Sequence, residues 1–433
     1  MKLLVLGSGL NSFVTASLFA SIGNQIYLNS KSQSIDRYQY EPGLLPLFNE
    51  QVAENRVKSL VSSHLQSADY QELKFDIAIL GEEAEEYSQA DLDWLIKRMS
   101  ENCFLVLLTP SDIGEADELK QKVSEQFKSI HAKSGAIDVI SCPLLIREGR
   151  ALADFSRPEK IIAGCDSPDA VNLIKRLFGP FNRLKNVIKF VSSREAEFTC
   201  FASHAMLATR LSFMNEMAEL AERTLVDIET VRECMGADPR IGSSYLYPGC
   251  GYGGYTLSKN VEKVSKKLMH RNDDVGLLEA VSEINKRQKD ILFRKVWRLY
   301  RGNLDDKKIA IWGGSFKPDT DSIIGSPALN LIKSLVAHGA EVSVYDPMAN
   351  NNIMSYCEER GLAVSVVDNA LDATISADAL VVCTEWKEFW CPDFNELAQN
   401  LKSKVIFDGR NIYNISQLKE YGLQCFGIGR MPL

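Results

Sequence analysis

Short apolar strands alternate with helical patterns at both ends of this chain, and a long helix-rich stretch separates the two blocks. In the first block Leu3–Leu6, Gln25–Leu28, Asp76–Leu80, Phe104–Leu108 and Ile137–Ile140 read as strands, with helices at Ser12–Ser21, Leu92–Met99 and Ala116–Phe127. Parallel strands need a crossover, and a helix is the usual one, so the alternation predicts a doubly wound, mainly parallel sheet. From about Arg194 the pattern changes. Glu195–Thr224 carries apolar residues at 198, 201, 207, 211, 214 and 217, close to the helical period. Further helices are expected at Asp227–Met235 and from Lys259 to Tyr300. Alternation then returns, with strands at Lys308–Ile311, Glu341–Tyr345, Ala379–Cys383 and Val405–Asp408 and a helix at Ala328–Ala337. The expected fold is α/β, with two Rossmann-like doubly wound domains joined by a long-helix central domain. Boundaries are expected at 1–193, 194–301 and 302–433.

A chain of 433 residues has ample material for such domains. Its net charge of −8 argues against nucleic acid or an anionic membrane as the main partner. The apolar start Met1–Leu6 is broken by Gly7, Gly9, Asn11 and Ser12 with no cleavage site after it, and reads as a buried strand rather than a signal peptide. No apolar run reaches the roughly 18 residues of a membrane helix. Ten cysteines are scattered without a Cys-x-x-Cys pair or metal-type spacing, which implies reduced thiols in the cytoplasm and no metal site.

Chemistry concentrates at Pro248-Gly249-Cys250-Gly251-Tyr252-Gly253-Gly254-Tyr255-Thr256-Leu257-Ser258-Lys259-Asn260. Four glycines in six positions leave a backbone bare enough for a ligand to lie against its N–H groups. This run resembles the active-site loop of the UDP-glucose/GDP-mannose dehydrogenase family, which reads Gly-Tyr-Gly-Gly-Ser-Cys-Phe-Pro-Lys-Asp. Further motifs similar to that family follow in order: Glu41-Pro42-Gly43-Leu44, Arg147-Glu148-Gly149 with Asp154-Phe155, and Asp238-Pro239-Arg240-Ile241-Gly242. Phe316-Lys317-Pro318, Ser326-Pro327-Ala328-Leu329, Thr384-Glu385-Trp386 and Asp408-Gly409-Arg410-Asn411 complete the set. The resemblance covers nearly the whole chain. It implies a nucleotide-sugar oxidoreductase that takes the C6 alcohol of a sugar such as UDP-glucose to a carboxylate with two NAD⁺. It also implies a homodimer built on the middle helices.

The positions that do the family's chemistry differ. Its cysteine nucleophile is Thr256 and its neighbouring aspartate is Asn260. Its Lys-x-x-x-Asn is Cys200-Phe201-Ala202-Ser203-His204, and the glutamate of its Asn-Pro-Glu-Phe-Leu is Leu144 in Cys142-Pro143-Leu144-Leu145-Ile146. A threonine hydroxyl without an adjacent base is a far weaker nucleophile than a thiolate, so the standard four-electron oxidation is not expected. Thr256, Cys200, His204, Lys259 and Asn260 are the candidate catalytic residues. Cys200 and His204 share a helix face, either as a new acid–base pair or as packing in an idle pocket. Cys250 reads as packing, and Trp312 and Trp386 as core or interface aromatics.

On the cofactor side, Gly7-Ser8-Gly9-Leu10-Asn11-Ser12 follows a strand and opens a helix, as a dinucleotide fingerprint requires, with Ser12 in place of the third glycine. Asn29 stands where a carboxylate would hold the ribose. Thr109 joins the cofactor set with Gly7, Gly9, Ser12 and Asn29. Gly81-Glu82-Glu83-Ala84 replaces the family's Val-Pro-Thr-Pro, and Ile324 replaces the arginine of its Asp-Asp-Val-Arg-Glu-Ser-Pro. The implied cofactor is NAD, on a weakened site. The ligand side is better kept: Arg240, Tyr247, Gly251, Gly253, Gly254, Phe316, Lys317 and Arg410 are the candidate nucleotide-sugar contacts, with Arg240 reaching a neighbouring subunit in the family. Two readings stand. One is an NAD-dependent nucleotide-sugar oxidoreductase with altered chemistry; the other is an inactive relative that binds a nucleotide sugar as a regulatory or assembly partner.

Overall fold

The computed structural model describes residues 1–7, 10–29, 73–81, 87–130, 135–183, 185–263 and 276–430. They form two compact units, 1–202 and 203–433, whose boundary falls inside the long helix Ser193–Thr224. The expected motif Glu41-Pro42-Gly43-Leu44 lies outside the described residues, as do Glu82, Glu83 and Ala84.

The first unit is built on a seven-stranded sheet of order β2-β1-β3-β4-β5-β6-β7. These strands are β1 (Lys2–Leu6), β2 (Gln25–Asn29), β3 (Phe75–Leu80), β4 (Met99–Leu107), β5 (Ala136–Ser141), β6 (Ile161–Gly164) and β7 (Ile188–Val191). All neighbours run parallel except β5 and β6, which meet antiparallel at Ser141 and Gly164. β1, β3 and the end of β4 are buried on both faces, which is why their sequences read as unbroken apolar runs. One side of the sheet packs around Phe19, whose ring meets Phe155 and Phe178 edge-on at 5.5 Å. Full burial of such a ring contributes about 1.5–3 kcal/mol.

The second unit repeats the plan. Its six strands are β8 (Lys308–Trp312), β9 (Glu341–Tyr345), β10 (Val364–Val366), β11 (Ala379–Val382), β12 (Val405–Asp408) and β13 (Gln424–Phe426). They run in the order β10-β9-β8-β11-β12-β13, all parallel. Numbered within the unit this is 3-2-1-4-5-6, the dinucleotide-fold order. The helices Ile228–Gly236, Leu277–Gln288 and Ile291–Leu299 belong to the same unit.

The chain is thus α/β with two Rossmann-like sheets and a helical centre, as expected. Two element readings are corrected. The helix expected at Leu92–Met99 is Gln89–Ile96: a capping box of Ser88 and Asp91 starts it early, and Met99 pairs with Phe75 as the first residue of β4. The single helix expected from Lys259 to Tyr300 is divided. A π-type turn spans Tyr255–Asn260, and Lys289 and Asp290 separate Leu277–Gln288 from Ile291–Leu299.

Candidate functional site

The glycine-rich loop is held from inside the second unit by three buried amides. Asn215 Oδ1 accepts from the Gly249 N–H at 2.9 Å, and Gln288 Nε2 donates to the Gly249 carbonyl at 2.6 Å. Asn285 takes both polar groups of Tyr252, accepting from its N–H and donating to its carbonyl at 3.0 Å each. The Cys250 N–H donates to Gly409 O and the Gly254 N–H to Ile324 O. Four consecutive or near-consecutive N–H groups are therefore bonded within the protein. The expectation that the bare backbone presents these donors to a ligand is corrected: the glycines admit the protein's own groups.

What they admit is specific. A Cβ on Gly249 would lie 3.1 Å from Arg410 Nη1, and one on Gly253 would lie 2.6 Å from Gly325 O and 2.8 Å from Phe316 Cβ. On Gly254, whose φ is +81°, it would come within 2.7 Å of the Phe316 ring. Gly251, at φ +102°, faces Lys289 Cγ at 2.9 Å. So Gly251, Gly253, Gly254, Phe316 and Arg410 are brought together. Lys317 follows Phe316, its Nζ 5.7 Å from that ring's centre and 3.4 Å from Pro318 O.

Arg410 is largely buried. Its Nε donates to Cys383 O at 2.7 Å and stands 3.1 Å from Glu385 Oε2, while Nη2 is buried without a partner. An orphaned guanidinium N–H beside a ligand-type loop is a donor awaiting an acceptor. Cys250 is fully buried in the core, its thiol donating to Cys383 O at 3.6 Å, which agrees with packing. Trp312 and Trp386 are buried core residues too.

Two of the expected ligand contacts, Arg240 and Tyr247, are exposed on this chain. Arg240 is exposed and forks onto Asp238, with Nη2 to Oδ2 at 2.6 Å and Nε to Oδ1 at 3.0 Å. Its turn is fixed by Arg210, which donates to Ile241 O and Gly242 O. Tyr247 is exposed with the Arg232 guanidinium 4.6 Å over its ring.

Beyond Gly254 the chain winds into the π-type turn Tyr255–Asn260, an uncommon conformation that concentrates at functional sites. It carries Thr256, half-buried, and Asn260, buried; the side chain of Lys259 lies outside the described residues.

Cys200 and His204 are four residues apart on the long helix and both are buried. Burial pushes the Cys200 thiol up to about 12, the Lys160 charge only partly opposing it. Burial likewise pushes His204 down to about 4. Both groups are neutral at pH 7, which does not suit a thiolate–imidazolium pair. Leu144 packs against the core of the first unit, and Cys142 is fully buried with its thiol pushed up by desolvation.

In the first unit β1 is flanked by β2 and β3, so a crevice is expected at the carboxyl ends of these strands. Gly7 leaves β1 at φ +128° and Asn29 ends β2 opposite Leu6. Gly9 and the side chain of Asn29 lie outside the described residues. The Leu6 carbonyl accepts from Gly81 N–H at 2.9 Å, Tyr87 O–H at 3.0 Å and Ser12 O–H at 3.3 Å. The Ser12 hydroxyl thus donates its proton to the end of the strand. Thr109, just beyond β4, holds a buried Oγ1 without a partner, an acceptor or donor left for a ligand. Glycine at the turn and an orphaned hydroxyl beyond β4 fit a dinucleotide. Among the described residues no group of three or more His, Cys, Asp or Glu is placed to hold a metal, and no helix is long and apolar enough to cross a membrane.

Asn215, Asn285 and Gln288 were not legible as site residues from sequence. The available signal was a set of amides on apolar helix faces.

Comparison with known proteins completes the site. Profiles of the UDP-glucose/GDP-mannose dehydrogenase family match in three parts: the NAD binding domain at residues 1–182, the central domain at 194–287 and the UDP binding domain at 310–415. A UDP-glucose 6-dehydrogenase of Pseudomonas aeruginosa is 35% identical over 446 aligned positions, covering 99% of this chain and 98% of that one. One from Rhizobium meliloti is 30% identical, covering 99% and 100%. Among solved structures, a UDP-glucose dehydrogenase from Pyrobaculum islandicum superposes with a TM-score of 0.81 at 25% identity, over 99% of this chain and 98% of that one.

Proposed function

Because the chain belongs to the UDP-glucose/GDP-mannose dehydrogenase family, we propose that it binds a nucleotide sugar without oxidising its C6 alcohol to the carboxylate. UDP-glucose is the first candidate ligand, since the similar proteins are named for it. One observation carries the reading: the two groups at the resembled water-activating positions are buried and neutral. Burial pushes the Cys200 thiol up, away from the thiolate form. With His204 down at about 4, the imidazole is a weak base for an alcohol proton. Thr256 supplies a hydroxyl but no thiolate, so the covalent step that divides the oxidation in two lacks its nucleophile. The ligand-holding frame supports binding: Phe316 seated on Gly253 and Gly254, and Arg410 with an unused guanidinium N–H.

NAD belongs to the same proposal as a bound group on a weakened site, where it would supply a hydride acceptor. Gly7 would admit it to the strand end, and Thr109 Oγ1 would hydrogen-bond it. Ser12 fills the space of the third glycine. The Thr109 hydroxyl favours one second reading, a single two-electron oxidation that stops at the aldehyde with neutral His204 taking the alcohol proton.

A cytoplasmic homodimer is also proposed. It is supported by ten free cysteines and by a stripe of exposed apolar residues on the long helix. Phe198, Met206, Phe213 and Leu220 follow one another at intervals of eight, seven and seven, the spacing of a helix–helix seam. The domain limits 1–193, 194–301 and 302–433 are retained as working boundaries for separate expression. Mixing protein with UDP-glucose and NAD⁺ and recording absorbance at the NADH band tests the main reading. No NADH is expected; two NADH per sugar refutes it, and one per sugar selects the aldehyde-forming alternative.

A further inference from the structure

Glu197 is a fully buried carboxylate for which the expected chemistry has no use. It lies in the second turn of the long helix Ser193–Thr224, and it leaves that helix to grip another element. Its Oε2 accepts from the Gly114 N–H at 2.6 Å and its Oε1 from the Ala116 N–H at 2.9 Å. Both donors stand at the start of the helix Glu115–Ile130, where first-turn N–H groups have no partner within the helix. Gly114, at φ +96°, makes the turn that aims its N–H at Glu197. Arg194 reaches the same helix start from one turn earlier, its Nε 2.6 Å from Asp117 Oδ2.

The carboxylate thereby fixes one end of the segment that joins β4 to this helix. The other end is tied into the sheet: the Leu108 N–H donates to Leu80 O at 3.1 Å, and Leu108 O accepts from the Leu144 N–H at 2.8 Å. Thr109–Ile113 spans the interval, at the carboxyl end of β4 and next to the end of β3, which borders β1. In a doubly wound sheet a dinucleotide lies at that end of the strands. Within the interval the Asp112 N–H donates to Glu115 Oε2 at 2.8 Å, a side chain of the very turn that Glu197 holds. The course of the segment therefore follows the place at which the helix start is fixed. Burial pushes the Glu197 carboxyl up, and the two N–H groups oppose this by stabilising its charged form. Glutamine in its place would present an NH₂ group to one of those donors.

We propose that Glu197 is a positioning residue for the cofactor, which sets Thr109 against the dinucleotide by fixing the start of the helix Glu115–Ile130. The inference rests on the NAD-binding reading and adds to it a residue that touches no ligand.

The full chain, Glu197→Gln, Thr109→Val and the double variant are titrated calorimetrically with NAD⁺ and, separately, with UDP-glucose. Thr109→Val should weaken NAD⁺ about fivefold, the loss of one neutral hydrogen bond. Glu197→Gln should weaken it by a similar factor. The double variant should bind no worse than either single one, because both substitutions act on one contact. UDP-glucose affinity should be the same in all four proteins. A role in stability alone would lower the melting temperature of Glu197→Gln and leave its NAD⁺ affinity at the wild-type value. That result overturns the proposal, as do losses that multiply in the double variant or an equal loss of UDP-glucose affinity. No NAD⁺ binding by the wild type overturns the cofactor reading and the proposal with it; wild-type binding that neither single substitution weakens overturns the proposal alone. If Glu197→Gln does not fold, Gly114→Ala strains the turn that aims one of the two N–H groups. It then takes the place of Glu197→Gln in the cycle, and the same outcomes decide.

Discussion

Ser12 and Gly81 divide one small space at the end of β1. A Cβ on Gly81 would overlap Ser12 Oγ and lie 3.0 Å from Ser12 Cα, so the serine is accommodated by the absent side chain opposite. Gly81→Ala should therefore destabilise the protein by about 1–3 kcal/mol, and adding Ser12→Gly should recover most of that loss. Additive losses in urea denaturation would show that the two positions are independent. His204 makes a second residue-scale prediction. Its folded pKa of about 4 lies below the ordinary 6.5, so between these values the unfolded chain binds the additional proton. The group's contribution is complete above pH 6.5 and is lost as pH falls towards 4, a total of about 3 kcal/mol. His204→Gln should flatten the stability slope across that window, and an unchanged slope would place the imidazole in water. Sequence located Cys200 and His204 but not their charge states. Spacing puts two side chains on one helix face; only the packing around that face sets their desolvation.

Elements show why the glycine-rich loop was half legible. Its glycines announce close approach, but sequence does not say whether a ligand or the protein approaches. Asn285 answers for Tyr252 by satisfying both of its backbone groups. Asn285→Ala leaves a buried N–H and carbonyl unpaired, and should lower stability by about 2 kcal/mol or more. Fast amide exchange at Tyr252 would accompany it, and unaltered exchange would mean that another group holds the loop. The long helix was legible from its apolar period. Its exposed stripe carries the dimer proposal: Phe213→Glu should shift the sedimentation coefficient from dimer to monomer, and an unshifted dimer would move the interface elsewhere. Four strands, Ile161–Gly164, Ile188–Val191, Val364–Val366 and Gln424–Phe426, were not expected from sequence. Short apolar runs do not by themselves distinguish a strand from a piece of helix or loop, and these strands add to the sheets at or near their edges.

At the scale of the whole molecule, strand–helix alternation at the two ends foretold two parallel sheets because the crossover rule leaves few other solutions. Motif order then gave the family. What the chain does with that fold was less legible, since the five positions that differ from the family's pattern bear on which reaction is expected and not on which binding remains. The central claim is that ligand binding outlasts the four-electron chemistry. Its most direct test is calorimetric titration of UDP-glucose into the full chain with NAD⁺ present. The account predicts a saturable binding heat that returns to baseline after each injection, with no accumulating NADH. Sustained turnover heat with two NADH formed per sugar, or no binding heat at all, would contradict it.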